Sequence, residues 1–190
     1  MVDSRAKAMK TGKVIKKFVA KDGRTVILRT PKWEDLDDML EFISSLVDES
    51  ADIMMDKKPT RQEEAEWLGR LLANLESDGD FALVAEVGGK MIANSELSRK
   101  SGYAAHVGEI GIAISAGYRD VGIGTEMLKT LIARGREIGL KVIKLSVFST
   151  NPRAKHVYEK VGFRETGRIP KEFFKDGKYV DEILMTMELT

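Results

Sequence analysis

Residues 109–124 read EIGIAISAGYRDVGIG, and the rest of the chain can be placed around them. In the first half, Ile110, Ile112 and Ile114 alternate with small residues, and this period-two alternation predicts a strand. The second half carries Gly122 and Gly124, and an amphipathic helical pattern follows at once. A strand, a glycine turn and a helix N-terminus bring several backbone N–H groups together. The helix dipole at that point favours an anion such as phosphate.

Three phosphate-binding patterns can be compared with this turn. A P-loop requires Gly-Lys-Ser/Thr, whereas Gly124-Thr125 has no lysine. A dinucleotide fingerprint requires a third glycine where this chain has Met127, and an acidic residue ending the next strand, which ends near Val147-Phe148. The third pattern, Arg/Gln-x-x-Gly-x-Gly/Ala, is satisfied by residues 119–124. An ordinary tight turn with glycines is the alternative to all three.

The composition excludes several classes of protein. A chain of 190 residues, 43% apolar and 32% charged, is long enough for a core, and its net charge of +1 gives no global attraction to nucleic acid. No apolar run approaches the ~18 residues of a spanning helix, and we see no secretory signal. The absence of cysteine excludes disulfides and thiolate catalysis, and two histidines make a metal site unexpected. We expect a cytoplasmic protein with neither nucleic acid nor membrane as partner.

The remaining patterns predict a flexible tail at residues 1–13 and one domain over residues 14–190. Asp-Gly or Gly-Gly turns between strand patterns predict three hairpins, at residues 22–23, 88–89 and 176–177. With the helical patterns between them, the predicted order is ββααβββαβαββ. The chain shows no repeat and no linker, so the fold class is α+β (mixed α/β), with helices packed on one mixed sheet.

Two helix starts carry capping signals. Thr30-Pro31 is a favoured N-cap and N1 pair, which predicts that the first helix begins there. Thr60 and Glu63 have the spacing of a capping box, which predicts the start of the second helix. The central strand is predicted over Tyr103–Ser115.

A second motif follows the first by one helix and one strand. Residues 151–163 read NPRAKHVYEKVGF and match Asn-x-x-Ala-x-x-x-Tyr-x-x-x-Gly-Phe. Together with residues 119–124, they resemble the two signatures of the GNAT superfamily of acetyl-CoA-dependent N-acetyltransferases. The resemblance runs from about residue 81 to the C-terminus, and weakly into residues 24–75. It implies a mixed, mostly antiparallel sheet flanked by helices and splayed at strands 109–115 and 141–148.

The resemblance implies acetyl-CoA as cosubstrate and no metal. The splayed strand is expected to bind the thioester and the pantetheine arm, the turn to bind the pyrophosphate, and the second motif to hold the arm and the sulfur. The implied cofactor-binding residues are Ile112, Ala113, Ile114, Arg119, Asp120, Val121, Gly122, Ile123, Gly124, Thr125, Asn151 and Tyr158.

Acetyl transfer to an amine needs a base and an acid. The ammonium form, with an ordinary pKa of ~10.4, must lose a proton before it attacks a thioester, and the leaving thiolate must be protonated. Tyr158 is the expected acid, with a core tyrosine as the alternative. Glu109 is the expected base, with a solvated carboxylate as the alternative. Without a bulge, Glu109 shares the strand face of Gly111 and Ala113.

Two departures from the family pattern concern the base and the turn. The branch that acetylates ribosomal-protein N-termini has a glutamate five residues before the motif asparagine, where this chain has Ser146. The proline common before the motif arginine is replaced by Ala116-Gly117. These departures leave the cofactor site unaffected but put the base in question.

The predicted function is transfer of acetyl to a primary amine by direct attack. The acidic content of residues 31–66 favours a cationic acceptor, with solvated helix faces as the alternative. The acceptor is a small amine, a lysine or a protein N-terminus, and residues 176–181 loosely resemble the ribosomal-protein branch. A non-catalytic CoA-binding module and a nucleotide-binding regulator are the other classes. A homodimer is left open.

Overall fold

The computed structural model describes residues 11–76 and 80–189, and within them the chain has the predicted order ββααβββαβαββ. The strands are β1 (Val14–Val19), β2 (Thr25–Arg29), β3 (Phe81–Val87), β4 (Lys90–Arg99), β5 (Val107–Ile114), β6 (Val142–Phe148), β7 (Arg164–Lys175) and β8 (Lys178–Glu188). The helices are α1 (Leu36–Asp48), α2 (Arg61–Glu76), α3 (Ile123–Glu137) and α4 (Pro152–Lys160). Among the described residues, no helix is long and apolar enough to cross a membrane.

Most of the predicted N-terminal tail, residues 1–10, lies outside the described residues. The last part of that tail is hydrogen-bonded to the domain. Gly12 N–H donates to Pro31 O at 3.0 Å, and Lys13 N–H donates to Thr30 Oγ1 at 2.8 Å.

One sheet runs through the described residues in the strand order β1-β2-β3-β4-β5-β6-β8-β7. Neighbouring strands are antiparallel except β5 and β6, which are parallel and pair only at residues 107–109 and 142–144. Beyond those residues β5 stays paired with β4, and β6 stays paired with β8, so β5 and β6 separate. The predicted mixed, mostly antiparallel sheet and its splay are confirmed. We call the space between the separated parts of β5 and β6 the opening.

The two faces of the sheet carry different helices. On one face, α3 and α4 pack in the larger apolar cluster, which contains Ile110 of β5 and Tyr158 of α4. On the other face, α1 and α2 cover β3 and part of β4 through a smaller cluster, which contains Leu71 and Ala82. We call these the α3/α4 face and the α1/α2 face. Each large apolar side chain that is fully buried contributes ~1.5–3 kcal/mol, so burial on both faces fixes the strands around the opening.

The first helix starts later than predicted, and Thr30 is not its cap. The Thr30 hydroxyl accepts the Lys13 N–H instead, and a 3₁₀ turn at residues 33–35 precedes α1. The second predicted start is confirmed. Thr60 N–H donates to Glu63 Oε2 at 2.7 Å, and Glu63 N–H donates to Thr60 Oγ1 at 3.2 Å.

The central strand is shorter than predicted. Residues 102–104 form a 3₁₀ turn, and β5 begins only at Val107. Gly102 has a φ of +59°, which is far from the extended backbone of a strand. The apolar alternation that predicted the strand belongs to its second half, where β5 and the prediction agree.

Candidate functional site

The separation of β5 from β6 leaves one edge of a central strand without a partner. β4 pairs with β5 as far as Ile114, which lies opposite Ala93, so the other edge of β5 is fully used. Pairing with β6 ends at Glu109. Within the described chain, the β6-facing backbone groups of residues 110–113 therefore have no partner strand. Such groups are the donors and acceptors with which an extended ligand that contains amides can pair.

The chain leaves β5 through a loop that ends at the N-terminus of α3. Gly122 is the N-cap of α3 and has a φ of +94°, a left-handed conformation that other residues rarely adopt. A Cβ on Gly124 would lie 3.1 Å from Cδ1 of Ile114, so a larger residue would require the end of the Ile114 side chain to shift. The first N–H groups of α3 lack helical partners and carry the positive end of its dipole. These residues fit the phosphate-binding role that the motif predicts.

Two charged side chains of this loop contact other parts of the protein. Arg119 Nε donates to Ile114 O at 2.8 Å, and its guanidinium forms an ion pair with Glu49, the C-cap of α1. Asp120 forms an exposed ion pair with Arg153 of α4. Arg119 thus ties the end of β5 to α1, and a phosphate at this loop would be bound mainly by backbone N–H groups. The cofactor roles of the Arg119 and Asp120 side chains stay predictions.

The asparagine and the tyrosine of the second motif's pattern belong to α4 and its N-cap. Asn151 is its N-cap, and Asn151 Oδ1 accepts the Ala154 N–H at 3.0 Å, which orients the amide and leaves Nδ2 as a donor. Tyr158 is only 8% exposed, and its ring meets that of Phe163 edge-on with 6.3 Å between centroids. Burial raises the pKa of Tyr158 to about 12, so the phenol stays protonated at neutral pH.

Comparison with known proteins identifies the family. The model of the acetyltransferase (GNAT) family matches residues 43–163. The chain belongs to the GNAT family. Both motifs that carried the resemblance lie within or at the end of the matched residues.

Relatives and solved structures of GNAT proteins agree with this fold. The chain is 40% identical over 63 residues to spermidine N(1)-acetyltransferase of Vibrio cholerae, an alignment that covers 30% of this chain and only 36% of that protein. A GNAT superfamily phosphinothricin acetyltransferase from Sinorhizobium meliloti, solved in complex with acetyl-CoA, has a TM-score of 0.78 at 22% identity, over 86% of this chain and 88% of that one. Ribosomal-protein-S5-alanine acetyltransferase from Vibrio fischeri has a TM-score of 0.78 at 18% identity, over 92% of this chain and 97% of that one. At these identities the two structures show a shared fold.

Glu109, the base expected in this GNAT chain, is the last β5 residue that pairs with β6. The β4–β5 register has no shift, so Glu109 shares a face with Gly111 and Ala113. Its carboxylate forms ion pairs with Lys100 and, at 3.4 Å, with Lys144. Burial raises the pKa of Glu109, but the two lysines outweigh burial and hold the pKa below its usual value. A carboxylate held in this way is a weaker proton acceptor, and its role as base stays a prediction.

The loop at residues 49–52 is attached to both sides of the opening. On the β5 side, Glu49 pairs with Arg119. On the β6 side, Lys175 donates to Asp52 Oδ1 at 2.5 Å, and its ammonium lies 5.7 Å from the ring centroid of Phe148, the last residue of β6. The 49–52 loop therefore connects the β5 side and the β6 side of the opening. It does so at the end far from residues 107–109 and 142–144, where the two strands pair.

Many acidic residues at positions 31–66 are neutralised by basic partners, which weakens the argument for a cationic acceptor. The pairs are Asp35 with Arg29, Asp37 with Arg61, Glu41 with Lys90, Asp48 with Lys58, Glu49 with Arg119 and Asp52 with Lys175. The region attracts cations less than its composition predicts. In residues 11–76 and 80–189, no three His, Cys, Asp or Glu side chains converge as a metal site.

The β1–β2 turn is hydrogen-bonded to the loop between β5 and α3. The sequence did not predict these contacts. Lys21 N–H donates to Val121 O at 3.0 Å, and Arg24 Nη2 donates to Gly117 O at 2.6 Å. The Arg24 guanidinium also lies 4.1 Å from the ring centroid of Tyr118. Arg24 and Gly117 are 93 residues apart in the chain, so no local sequence pattern could indicate these contacts.

A cleft of about 540 Å³ lies between this turn and α3. Gly122 and Thr125 of the α3 N-terminus line it, together with three lysines, Lys21, Lys129 and Lys160, and one carboxylate, Glu126, which pairs with Lys129 at 3.1 Å. The lysines outnumber the carboxylate, and beside the positive end of a helix dipole this excess of positive charge suits a negatively charged ligand. The three lysines come from three different elements, which is why the sequence showed no basic cluster.

Proposed function

We propose that this GNAT protein transfers an acetyl group from acetyl-CoA to a primary amine by direct attack in a ternary complex. The observation that carries the proposal is the opening between β5 and β6, which combines an unpaired strand edge with the N-terminus of α3. The strand edge suits the amides of a pantetheine arm, and the α3 N-terminus with its lysine-lined cleft suits the phosphates of CoA. When bound, acetyl-CoA supplies a thioester whose carbonyl carbon is the electrophile.

The cofactor residues follow from this placement. Residues 112–114 border the opening and would pair with the arm, whereas the backbone of residues 119–125 would bind the pyrophosphate. Asn151, oriented by its cap bond to Ala154, would donate from Nδ2. Glycines at positions 122 and 124 support this assignment, because a side chain at 122 would strain the turn and one at 124 would crowd the end of the Ile114 side chain.

Tyr158 is assigned to stabilise the leaving sulfur. It shares the apolar cluster with Ile110 of β5 and Val147 of β6, the strands that form the opening. Its pKa of about 12 lies above the ~8.5 of an ordinary thiol, so donating a hydrogen bond to a thiolate is favoured over giving the proton away. This role is narrower than the general acid that the motif predicted.

No acyl-enzyme is needed for this transfer. The chain has no cysteine, and direct attack requires only that amine and thioester meet in the opening. A small primary amine is the proposed acceptor class, supported by the likeness to a spermidine N(1)-acetyltransferase over part of both chains. A protein N-terminus is the alternative acceptor. Cytoplasmic location and a homodimer stay predictions.

Ligand-induced stabilisation tests the cofactor, and thiol release tests the reaction. At 100 times its Kd, a ligand stabilises the native state by ~2.7 kcal/mol, which for a chain of this size raises Tm by roughly 5–10 °C. We expect this shift with CoA and acetyl-CoA, and a much smaller one with ATP or NAD. Equal shifts with all four would contradict the cofactor assignment.

The reaction is then measured with a panel of polyamines, amino acids and a short peptide with a free N-terminus. Acetyl-CoA-dependent thiol release with one of these classes identifies the acceptor. A normal CoA shift without thiol release for any acceptor would favour a non-catalytic CoA-binding module.

A further inference from the structure

Glu96 lies one strand away from the opening, on the α1/α2 face. In the register of the sheet it pairs with Gly111 of β5 on one side and with Ala82 of β3 on the other. Ala82 belongs to the apolar cluster of the α1/α2 face, and residues directly opposite each other share a face, so Glu96 points to that face as well. The Cβ positions of such opposite pairs are ~4.5–5.5 Å apart.

Gly111 leaves the space between Glu96 and the opening free of side chains. A Cβ built on Gly111 would meet no atom within 4 Å, and Gly111 is exposed where Glu96 is half-buried. Adjacent strands are ~4.8 Å apart, so the Glu96 carboxylate is separated from the free edge of β5 by about one strand width. In the structure the Glu96 carboxylate turns along its own strand to Ser98, and rotation of the side chain toward Gly111, together with one water molecule, would bridge that width.

The groups around Glu96 favour uptake of a proton. On its own strand, Ser98 Oγ donates to Glu96 Oε1 at 2.6 Å. Asp80, the residue before β3, carries a charge of the same sign and also acts on Glu96. Burial raises the pKa of Glu96, Ser98 lowers it and Asp80 raises it, and the result is a pKa above the usual value.

Two other carboxylates near this face are either paired or distant. From β5, Glu109 lies two residues from Gly111 and is held by Lys100 and Lys144. From α2, the buried carboxylate is Glu64. It lies ten residues, or ~15 Å along the helix, from Asn74, whose side chain donates to Asp80. Within the described residues, no basic residue forms an ion pair with Glu96. It is the carboxylate of this face best placed to accept a proton.

We propose that Glu96 is the general base of the reaction and takes a proton from the acceptor ammonium, directly or through one water molecule. The proposal rests on the proposed acetyl transfer. The ammonium nitrogen loses two protons as its C–N bond forms and the C–S bond of the thioester breaks. The first proton passes to Glu96 and then to solvent, and the second ends on the departing sulfur. Glu109 pairs with two lysines at the end of the opening where β5 and β6 are still paired.

Three isosteric variants test the assignment: Glu96→Gln, its rival Glu109→Gln, and the control Glu188→Gln. Glu188 is an exposed carboxylate of β8 that lies opposite Val142, on the same face of the sheet as Glu96. We expect Glu96→Gln to lower kcat by ~10²–10⁴-fold, the usual contribution of general base catalysis. We also expect Glu96→Gln to abolish the acid limb of the pH profile of kcat/KM for the amine. Glu188→Gln should keep both the wild-type kcat and the acid limb. The acetyl-CoA thermal shift should be the same in all variants.

The possible outcomes distinguish failure of the Glu96 assignment from failure of the proposed acetyl transfer. If Glu109→Gln abolishes the acid limb and Glu96→Gln retains it, Glu109 is the base and the proposal is wrong. If the limb survives in both variants, the proposal is wrong and solvent removes the proton. If the wild-type protein binds acetyl-CoA but acetylates no amine, the proposed function fails. A carbon-13 NMR titration of labelled glutamates gives a second readout: an apparent pKa of Glu96 at or below that of Glu188 would also contradict the assignment.

Discussion

Tyr158→Phe removes one hydroxyl group and tests how the leaving sulfur is stabilised. The ring is only 8% exposed and contacts Phe163, and phenylalanine keeps this packing. We therefore expect the variant to fold, with a thermal midpoint close to that of the wild type. Its acetyl-CoA affinity should also change little, since the hydroxyl acts mainly once negative charge develops on sulfur.

The pKa of Tyr158 sets the size of the effect on kcat. Because burial raises that pKa to about 12, the phenol remains protonated and acts as a hydrogen-bond donor. A hydrogen bond to a charged group contributes ~1.5–3 kcal/mol. At ~1.36 kcal/mol per factor of ten, kcat should fall by about 10- to 150-fold. Full general acid catalysis by a phenol of ordinary pKa would instead cost up to ~10⁴-fold.

The pH dependence follows from the same pKa. A group with a raised pKa is protonated throughout the range below it, so Tyr158 should add no alkaline limb to the kcat profile between pH 7 and 10. The assay is thiol release at saturating acetyl-CoA and amine, with Tyr103→Phe as the matched control because Tyr103 is fully exposed. A donor thioester with a more acidic thiol should narrow the difference between Tyr158→Phe and the wild type.

Two results would refute this reasoning. The first is a Tyr158→Phe variant with wild-type kcat under conditions where the chemical step limits turnover, which would make Tyr158 a core residue only. The second is an alkaline limb near pH 10 that disappears in the variant, which would mean that the phenol titrates at its ordinary pKa.

Three further changes test the rest of the structure. Gly122→Ala places a Cβ at a φ of +94°, which costs ~1–2 kcal/mol wherever the turn keeps this conformation. The free turn can relax out of it but CoA binding requires it, so CoA affinity measured by calorimetry should fall by up to about 5- to 30-fold; an unchanged Kd would contradict the proposed phosphate role of the turn. Asp52→Asn breaks the contact with Lys175, whose partly exposed pair contributes ~1 kcal/mol or less, and so loosens the 49–52 loop that joins both sides of the opening. KM for the amine should rise up to about five-fold while the Kd of acetyl-CoA stays constant; equal changes in both would show that the loop does not act on the amine alone. Asp35→Asn leaves the buried Arg29 without its 2.7 Å partner and should lower the free energy of unfolding in urea by ~3 kcal/mol, towards the low end for buried pairs because Arg29 keeps a second carboxylate; a loss under ~1 kcal/mol would contradict this.

The sequence predicted the elements whose signals are local. The Asp-Gly and Gly-Gly turns, the capping box at Thr60 and the alternation before Gly122 each depend on neighbours within a few residues, and the structure contains all of them. Thr30 failed as a cap because Lys13, from a segment 17 residues away, donates to its hydroxyl. Propensity rules describe what a side chain prefers locally, and a tertiary donor overrides that preference.

The candidate site shows the same division. Motif spacing predicted the phosphate role of residues 119–124 and the roles of Asn151 and Tyr158, because the residues of each motif are close together in the chain. It could not show that Glu109 pairs with Lys100 and Lys144, which come from the end of β4 and from β6. The same reason hid Glu96, since its environment depends on strand register and on the absence of a side chain at position 111.

The two faces of the sheet explain why direct attack suits this fold. Tyr158 lies on the α3/α4 face, with Ile110 and Val147, whereas Glu96 lies on the α1/α2 face. β5 forms the wall between them, and its free edge is the place where both faces meet. An amine that approaches from the α1/α2 face would therefore reach the thioester from the side opposite Tyr158, the group proposed to stabilise the leaving sulfur. In the proposed reaction the amine nitrogen and the thioester carbonyl carbon would meet at this free edge, and such proximity lets one step join them without a covalent intermediate on the protein.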